Sequence, residues 1–157
     1  MPADIQYFPL HFSASELAQA FASLPGAPGW IGGRQGTGYR KLDVKALSLG
    51  LPELRAEALA LLAPPHPDFY DEWILLYEPG DFILPHRDPP LAEGLAHWRL
   101  NVLVEAGAGG ELTLNGASKA FIPGDAVLFR PDVVEHAVSE ILSGHRLVWS
   151  LGTNRPA

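Results

Sequence analysis

Between residues 72 and 151 the chain breaks into short β-prone runs separated by turn signals, and this spacing constrains the fold more than anything else in the sequence. Glu72–Glu78, Asp81–His86, His97–Glu105, Glu111–Leu114, Lys119–Ile122, Ala126–Arg130, His136–Ile141 and Arg146–Leu151 each read as a strand. Asn115-Gly116 is a tight-hairpin signal between two of them, since these residue types accept the positive φ of a two-residue turn. Roughly eight short strands at such intervals predict a jelly roll or sandwich. Fifteen prolines and sixteen glycines suit a β-rich chain with many turns.

The stretch up to about residue 65 reads as helical and loop-rich. Ser13-x-x-Glu16 is a capping box, and Leu17, Ala20, Phe21 and Leu24 follow at helical spacing until Pro25-Gly26 stops them. A second helix starts at Pro52, carries Leu54, Ala58, Leu61 and Leu62, and ends before Pro64-Pro65. Both helices are expected on the outside of one sheet. The Gly-rich run Gly32–Gly38 lacks the Gly-Lys-Ser/Thr ending of a phosphate loop. It reads as a flexible surface loop or, alternatively, as a lid. The chain, 1–157, is expected to be one domain: an N-terminal support over 1–65 and a β core over 72–152.

Composition removes several function classes. Hydrophobic residues make up 47% and charged residues 18%, which a packed core needs and a disordered tail does not. There is no cysteine, so any metal must sit on histidine and carboxylate ligands. The opening Met1-Pro-Ala-Asp lacks the basic segment and apolar core of a leader. No apolar run approaches the roughly 20 residues of a membrane span, and a soluble cytoplasmic protein with no membrane partner is expected. The formal net charge of −7 argues against nucleic acid as a partner. Arg34, Arg40, Lys41 and Lys45 form a local basic cluster, read as a solvated loop face.

The chemistry concentrates in Tyr77-Glu-Pro-Gly-Asp-Phe-Ile-Leu-Pro-His86-Arg-Asp88, followed later by His136 and Arg146. Two histidines and one carboxylate in this order form the facial triad of non-haem Fe(II), which leaves coordination positions open for a co-substrate and dioxygen. Side chains two apart on a strand share a face, so His86 and Asp88 are expected to point the same way, with Leu84 and Phe82 behind them. His136 shares a face with Val138 and Glu140. Arg146, Val148 and Ser150 form another row, and a fixed guanidinium suits the far carboxylate of a dicarboxylic acid. Taken singly, a His-x-Asp pair, a lone histidine or a lone arginine is commonplace; their conjunction on strands is what carries the reading.

These residues resemble the Fe(II)/2-oxoglutarate-dependent dioxygenase superfamily, and most nearly its prolyl-4-hydroxylase-like branch. Gly109-Gly-Glu-Leu112, Pro123-Gly-Asp125, Phe129, His136-Ala-Val138 and Gly144-His-Arg146 carry the resemblance further, over residues 72 to 152. It implies a mainly β fold with flanking helices, a double-stranded β-helix of the cupin-like jelly-roll kind. It implies Fe(II) on His86, Asp88 and His136, with 2-oxoglutarate anchored by Arg146 and contacted by Tyr77 and Asn101; Ser150 reads as a co-substrate-site residue assisting Arg146 through its hydroxyl or, alternatively, as a small strand residue. It implies consumption of dioxygen and hydroxylation of a substrate with release of succinate and CO2. Tyr77 reads equally as a strand aromatic with its hydroxyl in water, and Arg99 and Asn101 as the polar face of an edge strand. Some relatives carry a serine two residues after the arginine, where this chain has Val148. Arg87 and Arg99 are substrate-contact candidates, and Arg130 lies near them in this reading. The Pro89–Gly94 run is expected at the entrance, and the Gly32–Lys41 loop is a candidate cover. His11, His66, His97 and His145 fit no ligand pattern, His97 remaining a substrate-contact candidate. The substrate is expected among peptides, amino acids and small metabolites. Two other classes share the barrel. A metal-binding cupin enzyme would use no 2-oxoglutarate, and it usually carries His-x-His with a later Glu. A catalytically silent barrel would serve as a binding module.

Overall fold

A computed structural model describes residues 3–47 and 50–157; the opening Met1-Pro2 lies outside them. Along the chain run β1 (Ile5–Phe8), α1 (Ala14–Phe21), a single 3-10 turn, β2 (Ile31–Gly32), β3 (Arg40–Asp43) and α2 (Pro52–Leu62). The β core follows as β4 (Asp71–Tyr77), β5 (Ile83–His86), β6 (Leu95–Glu105), β7 (Ala108–Gly109), β8 (Leu112–Leu114) and β9 (Ala117–Ser118). It ends with β10 (Ala126–Phe129), β11 (His136–Val138), β12 (Ile141–Ser143) and β13 (Arg146–Pro156). Seven strands form one sheet in the order β1-β10-β6-β13-β4-β3-β2, four form a second in the order β5-β11-β8-β9, and β12 pairs with β7.

Strand alternation builds two apolar layers. In β13, Leu147, Trp149 and Leu151 face the helices, whereas Arg146, Val148 and Ser150 face the opposite way. In β6, Trp98, Leu100, Val102 and Val104 join the helix layer, while Arg99, Asn101 and Leu103 turn inward. Between the two sheets Leu103, Val127, Phe129 and Val148 meet Ile83, Leu112, Leu114 and Val138. Two facing antiparallel sheets around a shared interior make a double-stranded β-helix, with both helices on the outside of the larger sheet.

The helices form where the sequence marks them. Ser13 caps α1, its hydroxyl accepting from the Glu16 N–H at 3.3 Å, and Leu17 and Phe21 are fully buried. Burying each such side chain contributes about 1.5–3 kcal/mol. α2 starts at Pro52 and ends on Ala63 in the left-handed conformation. The N-terminal part is less helical than its sequence suggests, because β1 and β3 add strands to the larger sheet. Lys119–Ile122 is not a strand. Asn115 and Gly116 both take positive φ, so Leu114 pairs with Ala117 and Thr113 with Ser118, and the returning strand is complete at Ser118. The following residues turn toward Asp125, whose carboxylate accepts from the N–H groups of Leu10 and Ile122.

One ion pair ties α2 to the sheet. Arg55 meets the buried Glu72 of β4 in a two-pronged contact, Nε–Oε1 at 2.8 Å and Nη2–Oε2 at 2.9 Å, and the Trp149 indole N–H donates to the same carboxylate at 3.3 Å. Removing one partner strands the other charge away from water. Arg55→Ala is therefore expected to lower the unfolding free energy by about 3 kcal/mol in urea titrations. A loss no larger than that of an exposed pair would show that Glu72 is satisfied without it.

Candidate metal and 2-oxoglutarate site

His86 closes β5 and His136 opens β11, and the antiparallel register sets them directly opposite one another. Their ring centroids are 4.1 Å apart. Asp88 lies past the end of β5, held by its N–H to the Pro131 carbonyl at 2.8 Å. Its Oδ1 is 3.5 Å from His86 Nε2 and its Oδ2 is 3.3 Å from His136 Nε2. One ligand atom from each of the three residues falls within 4.8 Å of the others. Both imidazoles use Nδ1–H on a backbone carbonyl two residues back, Leu84 at 2.8 Å and Val134 at 3.1 Å. That tautomer leaves both Nε2 lone pairs aimed at the common centre, as metal-binding histidines require. Burial would raise the Asp88 carboxyl, but hydrogen bonds from His136 and His86 outweigh it and hold the group well below the usual carboxylate range. The same bond to Asp88 raises His86. A cation placed among these atoms takes over the role of those protons.

Leu84 and Phe82 do not share the His86 face. The pairing steps from His136↔His86 to Val138↔Ile83, so the β5 side of the pair holds an extra residue. Ile83 therefore lines the cavity with His86, and Leu84 is exposed. Val138 shares the face of His136, but β11 ends there and Glu140 is exposed.

A cavity of about 310 Å³ opens beside the three ligands, lined by residues of both sheets and of the 32–41 loop. Arg146 reaches it from the start of β13. Its guanidinium is buried, lies 4.9 Å from the centre of the Tyr77 ring, and has no carboxylate partner among the described residues. Burial lowers the Arg146 guanidinium, partly offset by Tyr77, and pushes the Tyr77 phenol up to about 12. Tyr77 stacks in turn on Tyr39 at 5.3 Å. Gly110 gives Arg146 its course, because a Cβ there would come within 3.0 Å of Arg146 Cδ and 2.2 Å of Ile141 Cδ1.

Arg99, Asn101 and Ser150 also line the cavity, and they form one chain of hydrogen bonds. Arg99 Nη2 pairs with Asp71 at 2.9 Å, Arg99 Nη1 donates to Ser150 Oγ at 2.9 Å, and Ser150 Oγ donates to Asn101 Oδ1 at 2.6 Å. Gly152 makes this possible, since a Cβ there would sit 2.3 Å from Arg99 Nη2. Ser150 is thus bonded to Arg99 and Asn101 rather than to Arg146. Arg87 points outward between its two ligand neighbours and is absent from the lining. Arg130 is engaged with Asp132 at 2.7 Å, outside the cavity.

Of the two segments expected around the entrance, the candidate cover lies against the cavity. The Gly32–Lys41 loop supplies Arg34, Gln35, Tyr39 and Lys41 to the lining; Lys41 is half-buried there, whereas the Arg34 side chain stays mostly exposed at the rim, as a solvated face would have it. Gln35 bonds both backbone groups of Leu84, at 2.7 and 3.0 Å, and Arg34 Nη1 reaches Asp88 Oδ1 at 3.4 Å. His97 lines the cavity too, its Nδ1 3.3 Å from the Asp88 carbonyl oxygen. The Pro89–Gly94 run supplies none of the lining residues. The signal for the loop was the density of glycine and basic residues in an acidic chain. For His97 and Trp73, strand parity with Arg99 and with Tyr77 was the only clue.

No family model matches the sequence, and no curated protein does. Solved structures do. A Pseudomonas putida prolyl-4-hydroxylase superposes with a TM-score of 0.71 at 18% identity, over 98% of this chain and 93% of that one. A Trichoplax adhaerens prolyl hydroxylase, in complex with a hypoxia inducible factor peptide, gives 0.75 at 12% identity, over 96% and 83%. HygX from Streptomyces hygroscopicus, with nickel and 2-oxoglutarate bound, gives 0.70 at 13% identity, over 98% and 83%. The fold is that of the 2OG-Fe(II) oxygenases, in the form seen in prolyl hydroxylases. No helix among the described residues is long and apolar enough to cross a membrane.

The donor set of two imidazole nitrogens and one carboxylate, with a cavity on its open side, fits Fe(II) and its divalent substitutes. His136→Ala is expected to weaken Ni(II) or Co(II) binding by 10-fold or more, on the order of what even an outer partner of a metal ligand contributes. Isothermal titration reads this directly; equal affinity in the variant would remove His136 from the site.

Proposed function

We propose that the protein is an Fe(II)- and 2-oxoglutarate-dependent dioxygenase that hydroxylates a C–H bond of its substrate. One observation carries the reading: a buried guanidinium without a counterion faces the same cavity as the His86, Asp88 and His136 ligand atoms. A charge withdrawn from water needs a partner, and the described residues offer Arg146 no carboxylate. A dicarboxylic keto acid meets both demands, one end at the metal and the other at Arg146. The likeness to HygX, which holds nickel and 2-oxoglutarate, supports the pairing.

Bound at the triad, Fe(II) supplies activation of dioxygen coupled to oxidative decarboxylation of 2-oxoglutarate, giving succinate, CO2 and a hydroxylated product. The chain's own residues set the conditions. Leu84 and Val134 carbonyls fix the two imidazoles, and the Pro131 carbonyl fixes Asp88. Tyr77, in contact with Arg146 and stacked on Tyr39, shields the guanidinium from water. Ile83, Leu112, Phe129 and Val138 give the interior an apolar wall that strengthens every charge interaction inside it.

Anaerobic addition of Fe(II) and then 2-oxoglutarate is expected to produce the visible charge-transfer band of the chelate; its absence would favour a barrel that does not use the keto acid. Asp88→Ala is expected to abolish succinate formation, and full turnover in that variant would contradict the assignment. Arg146→Ala removes a charge-assisted contact of about 3 kcal/mol, so the 2-oxoglutarate requirement is expected to rise roughly 100-fold in succinate assays. An unchanged requirement would move the anchor elsewhere.

A further inference from the structure

The cavity's charge does not match that of the chain. The protein carries a formal net charge of −7, yet the lining holds four cations, Arg34, Lys41, Arg99 and Arg146, against two carboxylates, Asp71 and Asp88. Resting on the function proposed above, the divalent ion and the dianionic co-substrate cancel. The filled cavity then keeps two positive charges in excess. Arg99 is matched by Asp71 at 2.9 Å, and Arg146 by the co-substrate. Arg34 shares Asp88, at 3.4 Å, with the ion. Lys41 is left over. It has no carboxylate partner among the described residues, and its ammonium lies 4.3 Å from the centre of the Trp73 ring. β3 pairs Lys41 with Leu75, between the Tyr77–Arg146 end of the sheet and the Asp71–Arg99 end.

We propose that the primary substrate is a small organic acid whose carboxylate is held by Lys41, with its carbon skeleton laid against Trp73. Size follows from the cavity, whose 310 Å³ must hold the co-substrate as well. A neutral residue within a polypeptide has no charge to offer Lys41. A phosphate ester carries about two charges at pH 7, whereas Arg99 and Arg34 are already paired with Asp71 and Asp88, which leaves one unpaired cation, Lys41, to match a single carboxylate. Burial and the neighbouring Arg34 and Arg99 lower the Lys41 ammonium, so an anion beside it recovers stability that the empty cavity lacks.

The test uses the chain 1–157 loaded with Ni(II) and 2-oxoglutarate, which holds the site without turnover. Ligand-observed NMR titrations compare free amino acids and short aliphatic and aromatic acids with their primary amides and with phosphate esters of similar skeleton. Acids are expected to bind, and their amides about 10-fold more weakly or worse. Lys41→Met is expected to erase that preference, and Lys41→Arg to keep it, with 2-oxoglutarate affinity unchanged in both. Equal binding of acid and amide, preference for phosphate esters, binding by none of the acids, or an undiminished acid preference in Lys41→Met would overturn the proposal. Failure of the wild-type protein to bind 2-oxoglutarate, read first and separately, would instead bring down the co-substrate assignment beneath it.

Discussion

His136 reaches the candidate metal site because β11 pairs antiparallel with β5, and the register puts it across from His86. Neither strand is long, and the small sheet would be marginal alone; the larger sheet behind it supplies the apolar surface that holds it in place. The irregular step between His136 and Val138 matters as much as the pairing. It brings Ile83 and His86 to the same interior with two residues between them, where regular alternation would have turned Ile83 away. The ligand geometry thus depends on a local departure from regular strand structure, of the kind often found beside functional sites.

The larger sheet has a divided job. One face of β4, β6 and β13 is almost wholly apolar and packs on α1 and α2. The other presents Trp73, Tyr77, Arg99, Asn101, Arg146 and Ser150 to the cavity. So many polar groups can turn inward because they satisfy each other or await a ligand. The Asp71–Arg99–Ser150–Asn101 chain belongs to the first kind, Arg146 to the second. Two glycines, Gly110 and Gly152, make room for the two guanidinium groups to cross their neighbours.

Much of this was legible in the sequence. Strand alternation announced the Arg146, Val148 and Ser150 row and the parity of Arg99 with Asn101. The cap at Ser13 and the proline at 52 marked both helices. The triad could be read because its chemistry needs particular residue types in a particular order. What stayed hidden depends on contacts distant in sequence. The step in β5 is a property of its pairing with β11, so no pattern within β5 alone reveals it. The strand expected at Lys119–Ile122 was displaced because the positive φ of Asn115 and Gly116 spends the pairing at once. Loop 32–41 could be named a candidate cover, but the contacts that hold it there were hidden: Gln35 bonds the backbone of Leu84, and Thr37 bonds that of Phe82 just before β5.

The Leu84 carbonyl serves two masters. It accepts from the Gln35 side chain at 3.0 Å and from His86 Nδ1 at 2.8 Å. The covering loop and the imidazole are therefore moored to the same oxygen. The two donors share the lone pairs of that oxygen, so the position of the loop and the orientation of the ring are set together by a single atom of the main chain.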